Sequence, residues 1–136
     1  MTNEIKDGLK EGLKNTKMIV VTEELTAAES IPGLPPVFST PMLVDLMETT
    51  SYEIVEPFLG EGLTTVGAAV DIAHSAATPV GFTVTCESEL VEVKGRKLVF
   101  EVRACDDKEE IGKGRHVRFI IDKGPFIDAV NKKAGR

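Results

Sequence analysis

The chain has 136 residues, which suits one domain, and its 42% hydrophobic and 28% charged residues exclude intrinsic disorder. A net charge of −6 argues against a general duplex-DNA binder, and six Phe, one Tyr and no Trp offer few surfaces for base stacking. No apolar run approaches the ~20 residues of a membrane helix, and no cationic leader precedes an apolar stretch. We therefore expect a single domain over residues 1–136 that stays in the cytoplasm and binds neither nucleic acid nor a membrane.

The first part of the chain combines a charged segment, a strand and a loop. Residues 1–15 form a lead-in segment, in which Gly8 and Gly12 weaken any helix. A strand is predicted over 17–26, because this stretch is rich in β-branched and apolar residues. Residues 27–38 contain three prolines and a glycine, a composition typical of a loop.

A long amphipathic helix is predicted from about Pro41 to Leu59. Ser39 or Thr40 can cap it, and Pro41 suits its first turn, where a missing N–H costs nothing. Apolar and small residues recur at helical spacing and form one broad stripe: Leu43, Leu46, Met47, Thr50, Ile54 and Phe58. The turn Gly60-Glu61-Gly62 ends the helix.

A long strand follows the helix and ends near His74. Strict alternation puts five of its residues on one inward face: Val66, Ala68, Val70, Ile72 and His74. Gly67 would then point to the opposite face. A glycine inside a strand indicates either a bulge, the more common reason, or the close approach of a ligand to the backbone.

Three further strands are predicted at about 82–93, 97–105 and 110–122. The connections between them, KGR and the acidic turn DDKE, have the length of hairpin turns and make the sheet largely antiparallel. A short helix from about Pro125 to Lys133 would end the chain.

The order of these elements predicts an α+β fold in which five strands form one sheet against one long helix. This is the layout of the hotdog fold, a curved sheet wrapped around a central helix. One helix cannot cover the whole sheet, so a remaining face or edge is expected to pair with a second subunit in a homodimer.

The two cysteines, Cys86 and Cys105, are predicted to stay reduced. If Val93 faces Lys97 across the hairpin turn, Cys86 lies opposite Ala104, the neighbour of Cys105. Adjacent residues of a strand point to opposite faces, so the two thiols should not meet.

Three polar residues are candidates for chemistry. Glu48 borders the apolar stripe of the helix, where a half-buried carboxylate needs a raised pKa or a hydrogen-bonding partner; the alternative is a solvated flanking glutamate. His74 stands at a strand exit and suits acid or base catalysis, or else makes a local hydrogen bond. Thr40 is either an N-cap or a hydroxyl placed where helix N–H groups favour developing negative charge.

A cationic stretch lies on the last predicted strand and consists of Lys113, Arg115, His116 and Arg118. It is either a solvated face or a surface for the phosphates of a nucleotide-bearing ligand. The sequence contains no GxSxG elbow, phosphate-binding loop, dinucleotide-binding fingerprint or zinc-ligand spacing, so those hydrolase, kinase and dehydrogenase types are excluded and no metal is expected.

Two stretches of the chain resemble the hotdog thioesterases typified by fluoroacetyl-CoA thioesterase: VFSTPMLVDLMETTSYEIVEPFLGEGLTTVGAAVDIAHSAATPVGFTVT and VEVKGRKLVFEVRACDDKEEIGKGRHVRFII. The likeness covers about residues 35–122. The combination of a threonine at the helix start, a glutamate in LME and a histidine in AHSAATP is fairly specific.

The resemblance implies roles for five residues. Thr40, Glu48 and His74 match the family's catalytic residues, Gly67 matches its glycine near the thioester carbonyl, and Arg118 matches its late-strand arginine. Helix N-terminal amides and the Gly67 backbone would polarise the carbonyl. A covalent acyl-enzyme and direct attack by water both stay open.

The implied function is hydrolysis of a small acyl-CoA to a free acid and coenzyme A, with coenzyme A as part of the substrate and no further cofactor. The family's phenylalanine gate matches Leu34 here, so selection for a fluorinated acyl group is not predicted. The alternatives are a hotdog hydratase or dehydratase acting on acyl thioesters, and a non-catalytic acyl-CoA-binding protein.

Overall fold

The structure, a computed structural model, describes residues 2–136. Its strands are β1 (Lys14–Val20), β2 (Leu63–His74), β3 (Thr83–Lys94), β4 (Lys97–Cys105) and β5 (Glu110–Asp122). Its helices are α1 (Ala27–Ser30), α2 (Thr40–Val55) and α3 (Lys123–Lys133). The five strands form one sheet in the order β1-β3-β4-β5-β2, and every neighbouring pair is antiparallel. The predicted arrangement of one long helix and a five-stranded sheet is therefore confirmed.

The long helix α2 buries one face against the inner face of the sheet. Its N-cap is Ser39, whose Oγ accepts from the Met42 N–H at 3.3 Å, and Pro41 lies in the first turn as expected. The α-helix ends at Val55 and continues as a 3-10 turn over Glu56–Phe58. The fully buried centre of the core combines residues of α2 with residues of the sheet: Leu43, Met47, Val55, Leu63, Val84, Leu90, Leu98, Phe100 and Ile111.

The N-terminal part of the fold differs from the predicted strand over 17–26. β1 begins at Lys14, inside the predicted lead-in segment, and ends at Val20, so the predicted boundaries are wrong. A 3-10 turn over Glu23–Leu25 ends the extended conformation, and the Thr26 hydroxyl then caps α1 inside the predicted loop. Rules based on β-branched content could not detect this cap. The lead-in also packs on the core through Leu9 and Leu13.

A bulge in β2 changes which residues face the core. Gly67 pairs with Arg118 and Ala69 pairs with Val117, so Ala68 is an extra residue without a partner in the ladder. The bulge predicted at Gly67 is confirmed. The inserted residue reverses the alternation, so Gly67 lies on the same face as His74, while Val66 lies opposite the exposed Phe119 on the outer face. The prediction that Val66 shares a face with His74 is therefore wrong.

The β3–β4 hairpin has a different turn from the predicted one and still gives the predicted cysteine register. Lys94, not Val93, faces Lys97, and a second irregularity between Leu90 and Glu92 compensates for this offset. Cys86 consequently lies opposite Ala104, and both cysteines are free thiols. Cys86 is fully buried, and its burial raises the pKa of the thiol to about 11.

The two edges of the sheet are β1 and β2. In β2 the residues from Gly67 to Asp71 are all exposed, and within residues 2–136 no strand pairs with the outer side of β2. The C-terminal helix α3 begins directly after β5 and has no buried residue. None of the helices in the described part of the chain is long and apolar enough to span a membrane.

Candidate active site

Thr40 and His74 meet where α2 begins and β2 ends. The Thr40 Oγ1 atom lies 2.7 Å from Nδ1 of His74, a short hydrogen bond. Because Ser39 supplies the helix cap, the Thr40 hydroxyl is free to bind the histidine ring. The interpretation of Thr40 as an N-cap is therefore wrong.

The environment of His74 favours a neutral ring. Burial lowers the pKa of His74 below its ordinary value of 6.5, and the nearby backbone of Ala76 opposes part of that shift. The Nε2 atom is buried and has no hydrogen-bond partner among the described residues. In the tautomer protonated on Nε2, the Nδ1 lone pair accepts the Thr40 hydroxyl proton, which is the arrangement of a nucleophile and its general base.

The amides at the start of α2 are mostly occupied. Ser39 N–H donates to the Leu25 carbonyl, Met42 N–H donates to the Ser39 hydroxyl, and Pro41 has no N–H. Of the helix N-terminal amides expected to polarise a thioester carbonyl, the Thr40 N–H is therefore the one left to do so. This N–H belongs to the residue whose hydroxyl contacts His74, so one residue offers both a hydroxyl and an amide donor.

Glu48 lies two turns further along α2 and pairs with a buried cation. Its Oε2 is 3.5 Å from Nη1 of Arg118, and the Glu48 side chain is 38% exposed while that of Arg118 is 9% exposed. The carboxylate therefore has the partner that its half-buried position requires. The Arg118 guanidinium carbon also lies 5.7 Å from the centre of the Tyr52 ring, a cation–π distance.

Arg118 is held by the first half of β2. Its Nε donates to the Thr65 hydroxyl at 2.8 Å, and its Nη2 donates to the Thr65 carbonyl at 3.0 Å. Burial lowers the pKa of Arg118 below its ordinary value, while the Glu48 charge opposes this shift. An arginine stays protonated in proteins, so the guanidinium is a fixed positive charge beside Glu48.

The cationic stretch of β5 is divided between the two faces of the sheet. His116 and Arg118 are buried on the inner face, whereas Lys113 and Arg115 are exposed and Arg115 pairs with Glu101 at 3.3 Å. The four residues therefore do not form one continuous face, and both the solvated-face and the phosphate-binding interpretations now apply only to the exposed Lys113 and Arg115. Alternation along β5 could have predicted this division, since His116, Arg118 and the apolar Ile120 have the same parity.

Gly67 leaves space beside the carboxylate. A Cβ atom at this position would lie 3.2 Å from Glu48 Oε2, 3.5 Å from Arg118 Nη1 and 3.5 Å from His116 Cε1. The bulge of β2 turns Gly67 toward these side chains. The absence of a side chain therefore keeps the backbone of β2 open next to the Glu48–Arg118 pair.

The predicted catalytic residues form two groups in one chain. Thr40 bonds to His74, and Glu48 lies with Arg118 and Gly67, but no hydrogen bond or ion pair in the described chain joins the two groups. Eight residues separate Thr40 from Glu48, a rise of about 12 Å along the helix. A single chain therefore does not bring all three predicted catalytic residues together.

The remaining candidates are more scattered. Leu34 lies in the exposed loop between α1 and α2 and is 43% exposed. The sequence interpretation missed Thr65 and Tyr52, because a threonine or tyrosine near an apolar stripe carries no signal until the position of Arg118 is known. Among residues 2–136, no group of three or more His, Cys, Asp or Glu side chains is arranged to hold a metal ion.

The fold and the site define a hotdog-fold protein of the thioesterase type. A family model for the fluoroacetyl-CoA-specific thioesterase matches residues 21–124. A fluoroacetyl-CoA thioesterase from Streptantibioticus cattleyicolor is 37% identical over 135 residues, which cover 95% of this chain and 97% of that protein. The chain thus belongs to the fluoroacetyl-CoA-specific thioesterase family.

Solved structures agree with this assignment. A structure of the fluoroacetyl-CoA thioesterase FlK matches with a TM-score of 0.89 at 37% identity, covering 93% of this chain and 98% of that chain. A thioesterase superfamily member from Thermus thermophilus matches with a TM-score of 0.86 at 27% identity, covering 95% of each chain.

Proposed function

We propose that the protein hydrolyses the thioester of a small acyl-CoA to a free acid and coenzyme A. The observation that carries this proposal is the 2.7 Å hydrogen bond between the Thr40 hydroxyl and His74 at the start of α2. Membership of a thioesterase family supports the choice of a thioester as the bond that breaks. Coenzyme A is part of the substrate, and the reaction needs water and no further cofactor.

His74 is the general base and then the general acid in this proposal. As base it takes a proton from the Thr40 hydroxyl or from a water molecule, and the oxygen attacks the thioester carbonyl carbon. The carbon–sulfur bond then breaks, and the proton passes from His74 to the coenzyme A sulfur. If Thr40 attacks, a water molecule hydrolyses the resulting ester in a second step. Glu48 activates or orients that water.

The complete site, in our proposal, forms between two copies of the chain. The exposed edge of β2 is free to pair with the same edge of a second copy about a two-fold axis. With a two-fold axis at Val70, Gly67 of one copy would lie close to His74 of the other. Glu48 of one copy would then approach Thr40 and His74 of the second copy, so a homodimer would unite the two groups.

This pairing also gives the carbonyl oxygen two donors. The Thr40 N–H would come from one copy, and the open backbone at Gly67 would come from the other. Backbone donors directed at a developing oxyanion contribute up to about 10²–10³ in rate.

Subunit complementation tests the shared site. Glu48→Gln and His74→Ala homodimers are each expected to lose at least about 10² in turnover while their melting temperatures change little. When the two variants are mixed and allowed to exchange subunits, the heterodimer has one site with both residues intact. Random exchange should restore about a quarter of the wild-type rate.

A matched mixture provides the control. His74→Ala with Thr40→Val places both changes in the same half of the site, so each heterodimer site keeps one defect and no activity should return. Absence of recovery in the first mixture would contradict the shared site and leave hydrolysis itself untouched.

A panel of acyl-CoAs tests the reaction. Incubation with acetyl-, propionyl-, malonyl- and fluoroacetyl-CoA, followed by detection of free thiol, should show release from at least one small acyl-CoA. Because Leu34 occupies the position of the family's phenylalanine gate, we expect no strong preference for the fluorinated substrate over acetyl-CoA. Hydration of an enoyl-CoA without thiol release would favour a hydratase, and tight binding without turnover would favour an acyl-CoA-binding protein.

We place the protein in the cytoplasm. The two free thiols, which the sheet register keeps apart, suit a reducing compartment.

A further inference from the structure

His116 is a buried histidine of β5 that the proposed chemistry does not use. Its side chain is 1% exposed and stacks on Phe100, with the ring centroids 6.1 Å apart. Its Nδ1 lies 2.8 Å from the Ala69 carbonyl oxygen, and its Nε2 lies 3.2 Å from Nη1 of Arg118. The ring therefore connects the bulge of β2 to the cation that pairs with Glu48.

Arg118 determines which ring nitrogen of His116 carries the proton. A guanidinium group only donates, so Nε2 accepts from Arg118 and Nδ1–H donates to the Ala69 carbonyl. Burial lowers the pKa of His116 below 6.5 and the Arg118 charge adds to this, while the hydrogen bond to Ala69 opposes it. The ring is thus neutral, and both of its nitrogens have partners.

The Nη1 atom of Arg118 serves two acceptors. Its contact with Glu48 is long, at 3.5 Å, whereas its contact with His116 is 3.2 Å. Thr65 binds the other two guanidinium nitrogens, Nε and Nη2. His116 therefore fixes Nη1, the nitrogen that faces the Glu48 carboxylate. The same ring lines the space beside Gly67 through its Cε1 atom.

We propose that His116 is a positioning residue for Glu48. By accepting from Arg118 and donating to Ala69, it fixes the guanidinium relative to the bulge of β2 and thereby the direction of the Glu48 carboxylate. The inference rests on the proposed function, since that direction affects the rate only if Glu48 takes part in hydrolysis.

Three substitutions separate the two hydrogen bonds from packing. His116→Gln places an amide oxygen near Nε2 and keeps an acceptor for Arg118. His116→Asn places an amide N–H near Nδ1 and keeps a donor for Ala69. His116→Phe keeps the stacking on Phe100 and loses both hydrogen bonds.

If His116 acts through Arg118, kcat should be retained only in the variant that keeps a hydrogen-bond acceptor for Arg118. We expect the Gln variant to stay within about threefold of wild type, and the Asn and Phe variants to lose about 10-fold or more, as small misplacements of a catalytic group do. KM for the acyl-CoA should change by less than about threefold. In a Glu48→Gln background the Asn substitution should cost little more, because coupled residues are non-additive.

Ser88→Ala is the matched control, since it removes a buried hydrogen bond, that with Ser51, and neither serine is a hydrogen-bond partner of Arg118 or His116. It should lower the melting temperature without lowering kcat. Equal kcat losses in the Gln and Asn variants, or losses that follow melting temperature as in the control, would overturn the proposal. If the Phe variant does not fold, the Gln and Asn pair decides alone.

The ring spectrum of His116 gives a readout that does not depend on activity. Nitrogen-15 NMR of the wild-type protein at neutral pH should show His116 protonated on Nδ1 and not on Nε2. Glu48→Gln should leave this tautomer unchanged. If the wild-type protein releases no thiol, the proposed function fails; an Nε2-protonated His116 would instead overturn the positioning role.

Discussion

His74 combines a short hydrogen bond on one ring nitrogen with a buried, unpartnered second nitrogen in the described chain. Its replacement by alanine removes the proposed base but little packing, because the residue ends a strand and is only partly buried. We expect His74→Ala to lower kcat by about 10² or more. Steady-state thiol release measures the rate, and thermal unfolding monitors the fold. Ser75→Ala, at the neighbouring exposed position, should leave both unchanged, and an unaffected rate in His74→Ala would remove this residue from the mechanism.

The two histidines should make stability depend on pH. Burial holds the pKa values of both His74 and His116 below the ordinary 6.5, so the folded protein binds protons more weakly than the unfolded chain. As the pH falls below about 6.5, the unfolded state gains protons that the folded state does not, and the free energy of unfolding decreases until the folded-state pKa values are passed. Stability from these groups is fully present above about pH 6.5.

Urea unfolding between about pH 5 and pH 7.5 checks this expectation. The free energy of unfolding should rise with pH, and the slope should be smaller in His116→Gln, which lacks one of the two titrating rings. A flat profile, or stability that falls as the pH rises, would show that the histidines do not titrate as their burial requires.

At the residue scale, local sequence pattern selects the candidate residues but does not give their arrangement. A hydroxyl at a helix start, a carboxylate beside an apolar stripe and a histidine at a strand exit each occupy a place that local pattern reveals. The partners of Arg118 are not local: Thr65 and Glu48 lie 53 and 70 residues away in the chain. Such long-range contacts follow from strand register and helix packing, which short motifs do not encode.

At the element scale, α2 assigns different tasks to two adjacent hydroxyl residues. Ser39 caps the helix, whereas Thr40 contacts His74. Ser39→Ala should lower the free energy of unfolding by about 1 kcal/mol through the lost cap. Thr40→Val should lower kcat and leave the cap intact. Denaturant unfolding and turnover of both variants test this division, and it fails if Ser39→Ala is as stable as wild type.

The elements themselves were mostly predictable, and their irregularities were not. Hydrophobic periodicity located α2 and the four strands after it to within a few residues. The glycine predicts the bulge at Gly67. The change of face that the bulge causes is not predicted, because strict alternation of side chains is assumed along the whole strand to His74. In the β3–β4 hairpin, the predicted turn is one residue off, and the bulge at Leu90–Glu92, which the sequence does not reveal, shifts the register back by one residue.

At the scale of the whole molecule, the exposed edge of β2 leads to a prediction about mass. Light scattering at micromolar concentration should give at least twice the 14.7 kDa of one chain. Val70→Asp would place one carboxylate from each copy close to the axis of the proposed dimer and should split that dimer and abolish activity, since like charges facing each other across strands are destabilising.

The same substitution on the other edge is the control. Val20 is 55% exposed on β1, so Val20→Asp should change neither mass nor rate. A monomer that retains full activity would contradict the shared site. Sequence leads to the expectation that some edge or face pairs with a second copy, but which edge stays open depends on the strand order.

The burial of Cys86 has a practical consequence for kinetics. A thiol with a pKa of about 11 and no exposed surface does not react with a trapping reagent at neutral pH, because the thiolate is the nucleophile. In a thiol-release assay, this cysteine therefore gives no background signal as long as the protein is folded. The rate at which Cys86 is labelled in substrate-free protein instead measures how often the core opens in the folded state.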